Sequence, residues 1–330
     1  MTPSCVSRSS DLEDPDVYVP ILHGIAVIAA PIYIYGAYCI LLKTPARMKP
    51  VKWIMFVLHI ISAFMDVLIS VIVDPYMYTP AMAAHILGVI NSPEIEAYAT
   101  ITLYAVVAVT VVAMFENRYY ILFGQNTWWA DARIPFLALN YIFGFTIFVP
   151  IFLEIPDQEI GFNIISEMLP CKLDLNLHDR KVFVLAVDYR TTLMCGAIAT
   201  FFLLSEVFMF SGVLFWRMTF IDSSIARISK KTMKMQRKFL FALSLQTISP
   251  ICLMAGPLCY TQLSIYFKYY NRFLNNFILC VTIFHGSVST IIMVFVHEPY
   301  REITLQFIPK WCLPKKICSR NGSSNYSFRI

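Results

Sequence analysis

The chain has 330 residues, 58% of them hydrophobic and 14% charged, with a formal net charge of +5. Average soluble domains carry about 25% charge, and the mean hydropathy here is +0.64. The charges sit in short clusters between apolar blocks, which excludes a separate soluble domain and a nucleic-acid surface and fits membrane topology with anionic headgroups.

Residues 1–17 are polar and acidic, with no basic segment leading into an apolar stretch, so they do not read as a cleaved signal peptide. The first apolar span, 20–42, holds no Lys, Arg, Asp or Glu. A hydrocarbon core about 30 Å thick takes roughly 20 residues rising about 1.5 Å each. Further spans follow at 53–73, 97–115, 135–152, 192–215, 239–260 and 277–296, which makes seven. Tyr98, Thr100, Thr102 and Tyr104 dilute the third span, and the fourth is short with Pro135 and Pro150 at its ends. The expected fold is an all-α membrane protein: an N-terminal segment at 1–19, a seven-helix bundle over 20–296, and a tail at 297–330. In the tail, Ile303, Phe307 and Ile308 space out as one face of a short amphipathic helix.

Lys and Arg set the orientation. The 43–52, 116–134 and 216–238 connections and the tail hold 19 of them against seven on the opposite side, where 14 acids collect. This places the N-terminus outside and the tail in the cytosol. In the third connection Arg227, Lys230, Lys231, Lys234, Arg237 and Lys238 recur at three- and four-residue steps. Headgroup binding and docking of a protein partner both fit that pattern.

Ionisable side chains within the spans are few: His23, His59, Asp66, Glu206 and His285. An intramembrane Asp costs roughly 2.5–3.5 kcal/mol on insertion scales and needs a partner or water. Asp66 and His285 fall at similar depths, so they can meet if the second and seventh helices are neighbours. His59 shares the Asp66 face about 10 Å deeper. A polar switch, an ion site and a static pair that fixes packing all remain open here. Pro250 crowds the Gln246 carbonyl and bends the sixth helix, as a moving part or as a static kink.

Among the nine cysteines, Cys5, Cys171 and Cys259 lie toward the outer side, where one bridge can form between Cys171 and either of the others. Cys312 and Cys318 lie in the tail, where palmitoylation is an option. No clustered metal ligands, phosphate loop or nucleophile elbow occurs, and the last span has no Lys for a retinal. Neither catalysis nor a cofactor is expected. A transporter would show internal repeats, and none is visible.

An ordered set of motifs then resembles nematode serpentine chemoreceptors of class H. It begins with Tyr38–Pro45, Met48-Lys49 and Lys52-Trp53. Leu58-His59, Asp66, Asp74-Pro75-Tyr76 and Pro80 follow, then Phe115-Glu116-Asn117-Arg118-Tyr119. Leu169-Pro170-Cys171, Gln246 and Pro250 come next, and the set closes with Phe284–Thr290 and His297-Glu298-Pro299-Tyr300-Arg301. The resemblance implies a G-protein-coupled-receptor-like protein in the ciliary plasma membrane of chemosensory neurons. By position it places Glu116, Asn117 and Arg118 at the G-protein-facing end of the third helix, and Pro299, Tyr300 and Arg301 at the close of the seventh. The chain lacks a Cys near the outer end of the third helix and an Asn-Pro-x-x-Tyr ending, so details of rhodopsin-like receptors transfer poorly.

The expected function is a receptor for a small chemical cue, lined by Tyr98, Tyr104, Gln262 and His285, that engages a heterotrimeric G protein. An inverted seven-helix ligand-gated channel is the main competitor, with a transporter third. Ligand, G-protein type, cell type and dimerisation are not set by the sequence.

Overall fold

The computed structural model describes residues 12–171, 173, 175–220 and 230–307. Its first helix, α1 (Pro15–Leu42), starts in the polar segment ahead of the apolar run. The Asp14 carboxylate accepts the Asp16 N–H, and Pro15 at the first helical position has no N–H to leave unpaired. α2 (Lys49–Val67) widens into a π-helical stretch at Leu68–Val73 and stops at Asp74, whose φ is +42°. α3 (Pro93–Tyr119) widens the same way at Tyr120–Gly124.

The fourth span is two helices, α4 (Trp129–Thr146) and α5 (Val149–Leu153). Pro150 has no N–H to give the Thr146 carbonyl four residues back, which favours the break at 147–148. An amphipathic α6 (Gln158–Met168) follows. Then come α7 (Tyr189–Phe220) and α8 (Lys230–Phe267), which runs as helix through positions 250 and 257. The seventh span is also divided, at Phe284, into α9 (Arg272–Ile283) and α10 (His285–Val296). α11 (Glu298–Phe307) occupies the start of the tail.

Among the described residues, six helical stretches are long and apolar enough to cross a membrane: Pro15–Leu42, Lys49–Val73, Pro93–Gly124, Trp129–Leu153, Tyr189–Arg217 and Arg272–Val296. The shorter apolar stretch Ile251–Phe267, in α8, is the seventh. α3 has one of the most buried windows, and its Val107, Val111, Val112 and Met114 belong to the main core.

The connections at one end of the bundle form an antiparallel sheet that apolar runs do not announce. Strands β1 (Pro75–Met77), β2 (Met82–Ile86), β3 (Asn176–Leu177) and β4 (Arg180–Ala186) lie in the order β1-β2-β4-β3. Met77, Ala84 and Phe183 pair in register and turn one face toward the helices. Tyr76, His85 and Val182 pair on the opposite face.

α6 packs over β4. The Gln158 amide accepts the Val184 N–H at 2.8 Å and donates to the Val184 carbonyl at 3.1 Å, as a neighbouring strand would. Asn275 Nδ2 donates to the Thr79 carbonyl at 2.8 Å, and Tyr18 donates to the Pro75 carbonyl at 3.1 Å. These bonds tie the sheet to α9 and α1. Cys171, after α6, is disulfide-bonded and Cys259 is a free thiol, so the Cys171–Cys259 alternative is corrected. Cys5, Arg227, Cys312 and Cys318 lie outside the described residues.

Candidate functional site

Asp66 stands near the end of α2 with 3% of its surface exposed. The break at Phe284 brings the first turn of α10 against it. His285 Nδ1 lies 2.7 Å from Asp66 Oδ1, and the Gly286 N–H donates to Asp66 Oδ2 at 3.2 Å. The Tyr33 hydroxyl of α1 donates to the same Oδ2. A carboxylate at the start of a helix also faces the positive end of the helix dipole.

His285 Nδ1 is 2.9 Å from the Thr282 carbonyl as well. Both neighbours of Nδ1 are acceptors, so this nitrogen carries the proton whatever the charge of the ring. His285 Nε2 is buried with no hydrogen-bond partner among the described residues. One layer deeper, His59 Nε2 meets the Tyr33 carbonyl at 2.9 Å and Nδ1 meets Thr290 Oγ1 at 3.2 Å. Three helices therefore converge on two imidazoles and a carboxylate.

Beneath the sheet, α3, α7, α8 and α9 enclose a cavity of about 320 Å³. That is the lower end of the roughly 300–1,000 Å³ range of small-molecule pockets. Tyr104 and Gln262 line it; Tyr98 and His285 do not. The Tyr98 hydroxyl instead donates to the Phe145 carbonyl at 2.6 Å, and its ring packs on Phe152. The tyrosines share one apolar run, but the helical turn sends them to different sides.

At the opposite, basic end, Glu116 is fully buried. Its carboxylate accepts the Trp129 indole N–H at 2.8 Å and Arg133 at 3.1 Å. Arg133 also lies 3.8 Å above the Tyr120 ring centroid and reaches Asn117 Oδ1 at 3.3 Å. Asn117 Nδ2 donates to the Pro50 carbonyl at 3.3 Å, which ties α3 to the start of α2.

Arg118 is 5% exposed and turned inward. Burial, and then the nearby Arg118 charge, push the His297 imidazole down to about 4. Tyr300 is fully buried and hydrogen-bonds Thr44 Oγ1 at 2.7 Å, so it fastens α11 to the end of α1. Pro299 sits in the first turn of α11, and Arg301 donates to the Phe295 carbonyl at 3.3 Å. Lys230, Lys231, Lys234, Gln246 and Pro250 belong to α8, with side chains outside the described residues.

The profile of the family described as "Serpentine type 7TM GPCR chemoreceptor Srh" matches residues 13–310. The chain belongs to this family. Serpentine receptor class H-72 of Caenorhabditis elegans is 25% identical to it over 286 residues, covering 84% of this chain and 81% of the relative. The Asp66 and His285 that carried the resemblance to class H meet in space in this Srh protein, and so do Arg118 and His297. Four participants were not singled out from the sequence: Tyr33, Gly286, Trp129 and Arg133. Gly286 directly after His285 was the one available signal, because a residue without Cβ beside an intramembrane His allows a close approach. Tyr33 and Trp129 carry no such mark among 18 tyrosines and five tryptophans.

Proposed function

We propose that this Srh chain is a plasma-membrane chemoreceptor of sensory cilia, with its N-terminus and sheet outside. It takes a small chemical cue into the cavity under the sheet and acts on a heterotrimeric G protein at the basic end. The observation that carries the reading is the cavity itself, an apolar space of about 320 Å³ bounded by α3, α7 and α8. α3 and α8 each connect that space to the basic end. α3 does so through Arg118, and α8 through the segment that begins at Lys230.

Occupation of the cavity shifts an equilibrium only if the cue favours one arrangement of these helices over another. The buried Asp66–His285 and Glu116–Arg133 pairs are the contacts such a shift has to rearrange or preserve. Of the three residues assigned to the G-protein-facing end of α3, Glu116 and Arg118 are turned inward in this arrangement.

Two measurements test the reading. Epitopes at the two termini are stained on intact cells, with a glycosidase shift as the check on Asn321-Gly322-Ser323 and Asn325-Tyr326-Ser327, both after the last helix. An exposed N-terminus and an unglycosylated tail are expected. A glycosylated tail puts the basic end outside and promotes the inverted-channel reading. Nucleotide exchange on co-expressed Gα subunits, during a screen of chemical cues, then reads coupling directly.

A further inference from the structure

The cavity has a chemistry narrower than "small molecule". Among the described residues that line it, none is Asp, Glu, His, Lys or Arg. An isolated charge moved into such surroundings loses its hydration with nothing to replace it. Apart from Tyr104, Thr192, Thr200 and Gln262, the polar side chains that line it are committed to their own helices. Thr100, Thr261 and Thr282 line the cavity, and each donates its hydroxyl to the carbonyl four residues back in its own helix, at 2.8, 3.0 and 2.8 Å.

Thr192 differs. It lies in the first turn of α7, which Asp188 caps by accepting the Arg190 N–H. Its hydroxyl is buried without a partner among the described residues. One turn along the same face is Gly196, where a Cβ would come 2.9 Å from Gln262 Nε2. The Gln262 amide therefore lies across α7 at Gly196, one turn from the Thr192 hydroxyl. Together they form one neutral hydrogen-bonding corner in an apolar chamber.

The route in follows from the roof. Met77, Ala84 and Phe183 close the sheet side of the cavity. α6 packs over β4 and is bonded to it through Gln158. The lining that α7 and α8 supply includes the small residues Gly196, Ala199 and Ala255. We infer that the cavity takes an uncharged, lipophilic molecule bearing a single carbonyl- or hydroxyl-type head, bound at Thr192 and Gln262, and that this molecule arrives from the bilayer between α7 and α8 and not through the sheet. This rests on the chemoreceptor reading of the cavity.

The test uses the full chain in lipid nanodiscs and three photoreactive probes with the same octyl diazirine tail, ending in a methyl ketone, a carboxylate or a trimethylammonium group. Labelled residues are mapped by mass spectrometry. The ketone is expected to label the α7 and α8 lining saturably, and the two charged probes are expected not to. Thr192→Val and Gln262→Leu should each weaken half-saturation by the ketone about three- to tenfold, the worth of one hydrogen bond. Saturable labelling of the cavity by either charged probe, or none by the ketone, overturns the ligand class. That comparison needs only the wild-type chain, so it stands even if a variant fails to fold.

For the route, the double variant Gly161→Cys, Val184→Cys pins α6 to the sheet. A Cβ at Gly161 lies 3.3 Å from Val184 Cβ, close to the separation a disulfide spans, and neither residue lines the cavity. Entry from the bilayer predicts a labelling rate within twofold of that of each single variant. A tenfold slower rate in the oxidised double variant overturns it. Labelling requires no G protein, so its failure and a failure of coupling are read separately.

Discussion

The Gly286 backbone nitrogen stands 3.2 Å from Asp66 Oδ2, and it does so because Gly286 has no side chain. A Cβ there would lie 2.7 Å from that oxygen and 2.9 Å from the Tyr33 hydroxyl. α1, α2 and α10 are therefore held at a separation that only glycine allows. Gly286→Ala is expected to push Asp66 off both partners and to lower stability by about 2–4 kcal/mol, an overpacking cost with a disturbed buried pair added to it. Gly24→Ala, inside α1 where nothing lies within 4 Å, is the control and should leave stability unchanged or raise it by up to about 1 kcal/mol. Thermal unfolding of the two variants in the same lipid decides; equal midpoints remove the packing role given to Gly286.

His297 gives the protein a pH dependence with a definite sign. Its folded value of about 4 lies below the usual 6.5, because burial and then Arg118 disfavour the imidazolium. The unfolded chain thus binds more protons than the folded one between these values. Stability from this group is complete above pH 6.5 and falls as pH drops toward 4, by about 3 kcal/mol in total. His297→Gln should flatten that part of the stability–pH curve. An unchanged slope between pH 6.5 and 4.5 would show that His297 is not the group responsible.

Glu116, Trp129 and Arg133 form a latch between α3 and α4. Truncating Glu116 leaves the Trp129 indole N–H without its acceptor and the Arg133 guanidinium with only Asn117 Oδ1, so Glu116→Ala should cost about 3 kcal/mol. Trp129→Phe removes one hydrogen bond and should cost about 1 kcal/mol. A double-mutant cycle of Glu116→Gln with Arg133→Gln is expected to give a coupling of about 1–3 kcal/mol. Additive single effects would mean that the 3.1 Å contact contributes no coupling of its own.

Arg118 carries the signalling prediction. It is packed inward beside His297, so its loss leaves the receptor surface nearly unaltered. Arg118→Ala should abolish nucleotide exchange on Gα while surface staining persists. Full exchange at equal surface expression removes Arg118 from the coupling mechanism.

Much of the architecture was legible because burial in a bilayer imposes a length. A helix needs about 20 apolar residues to span it, so the spans at 20–42 or 277–296 stand out with no knowledge of their neighbours. The Asp66–His285 meeting was legible for a related reason: a polar group at that depth must find another at the same depth. The breaks at 147–148 and at Phe284 were less so. Pro150 marked the first, while nothing in Ile283-Phe284-His285 marks the second apart from its cost being offset by Asp66 on another helix.

The sheet lay beyond apolar counting. β1 and β3 have three and two residues, too short for alternation to register, and the pairing of β2 with β4 joins segments about 100 positions apart. Thr192 illustrates the same limit from the opposite side. Its residue type says nothing, yet the packing around the first turn of α7 leaves its hydroxyl buried without a partner among the described residues.

By itself, then, the sequence determined the medium, the spans and the family, since each depends on runs of residues that a lipid core or a common ancestor constrains locally. The tertiary structure alone decided that Glu116 faces Arg133, that Tyr98 leaves the cavity while Tyr104 enters it, and that a sheet roofs the space between. Those outcomes depend on helix rotation and on contacts between distant segments. A run of apolar residues with mean hydropathy near 2 at every span carries no preference for either.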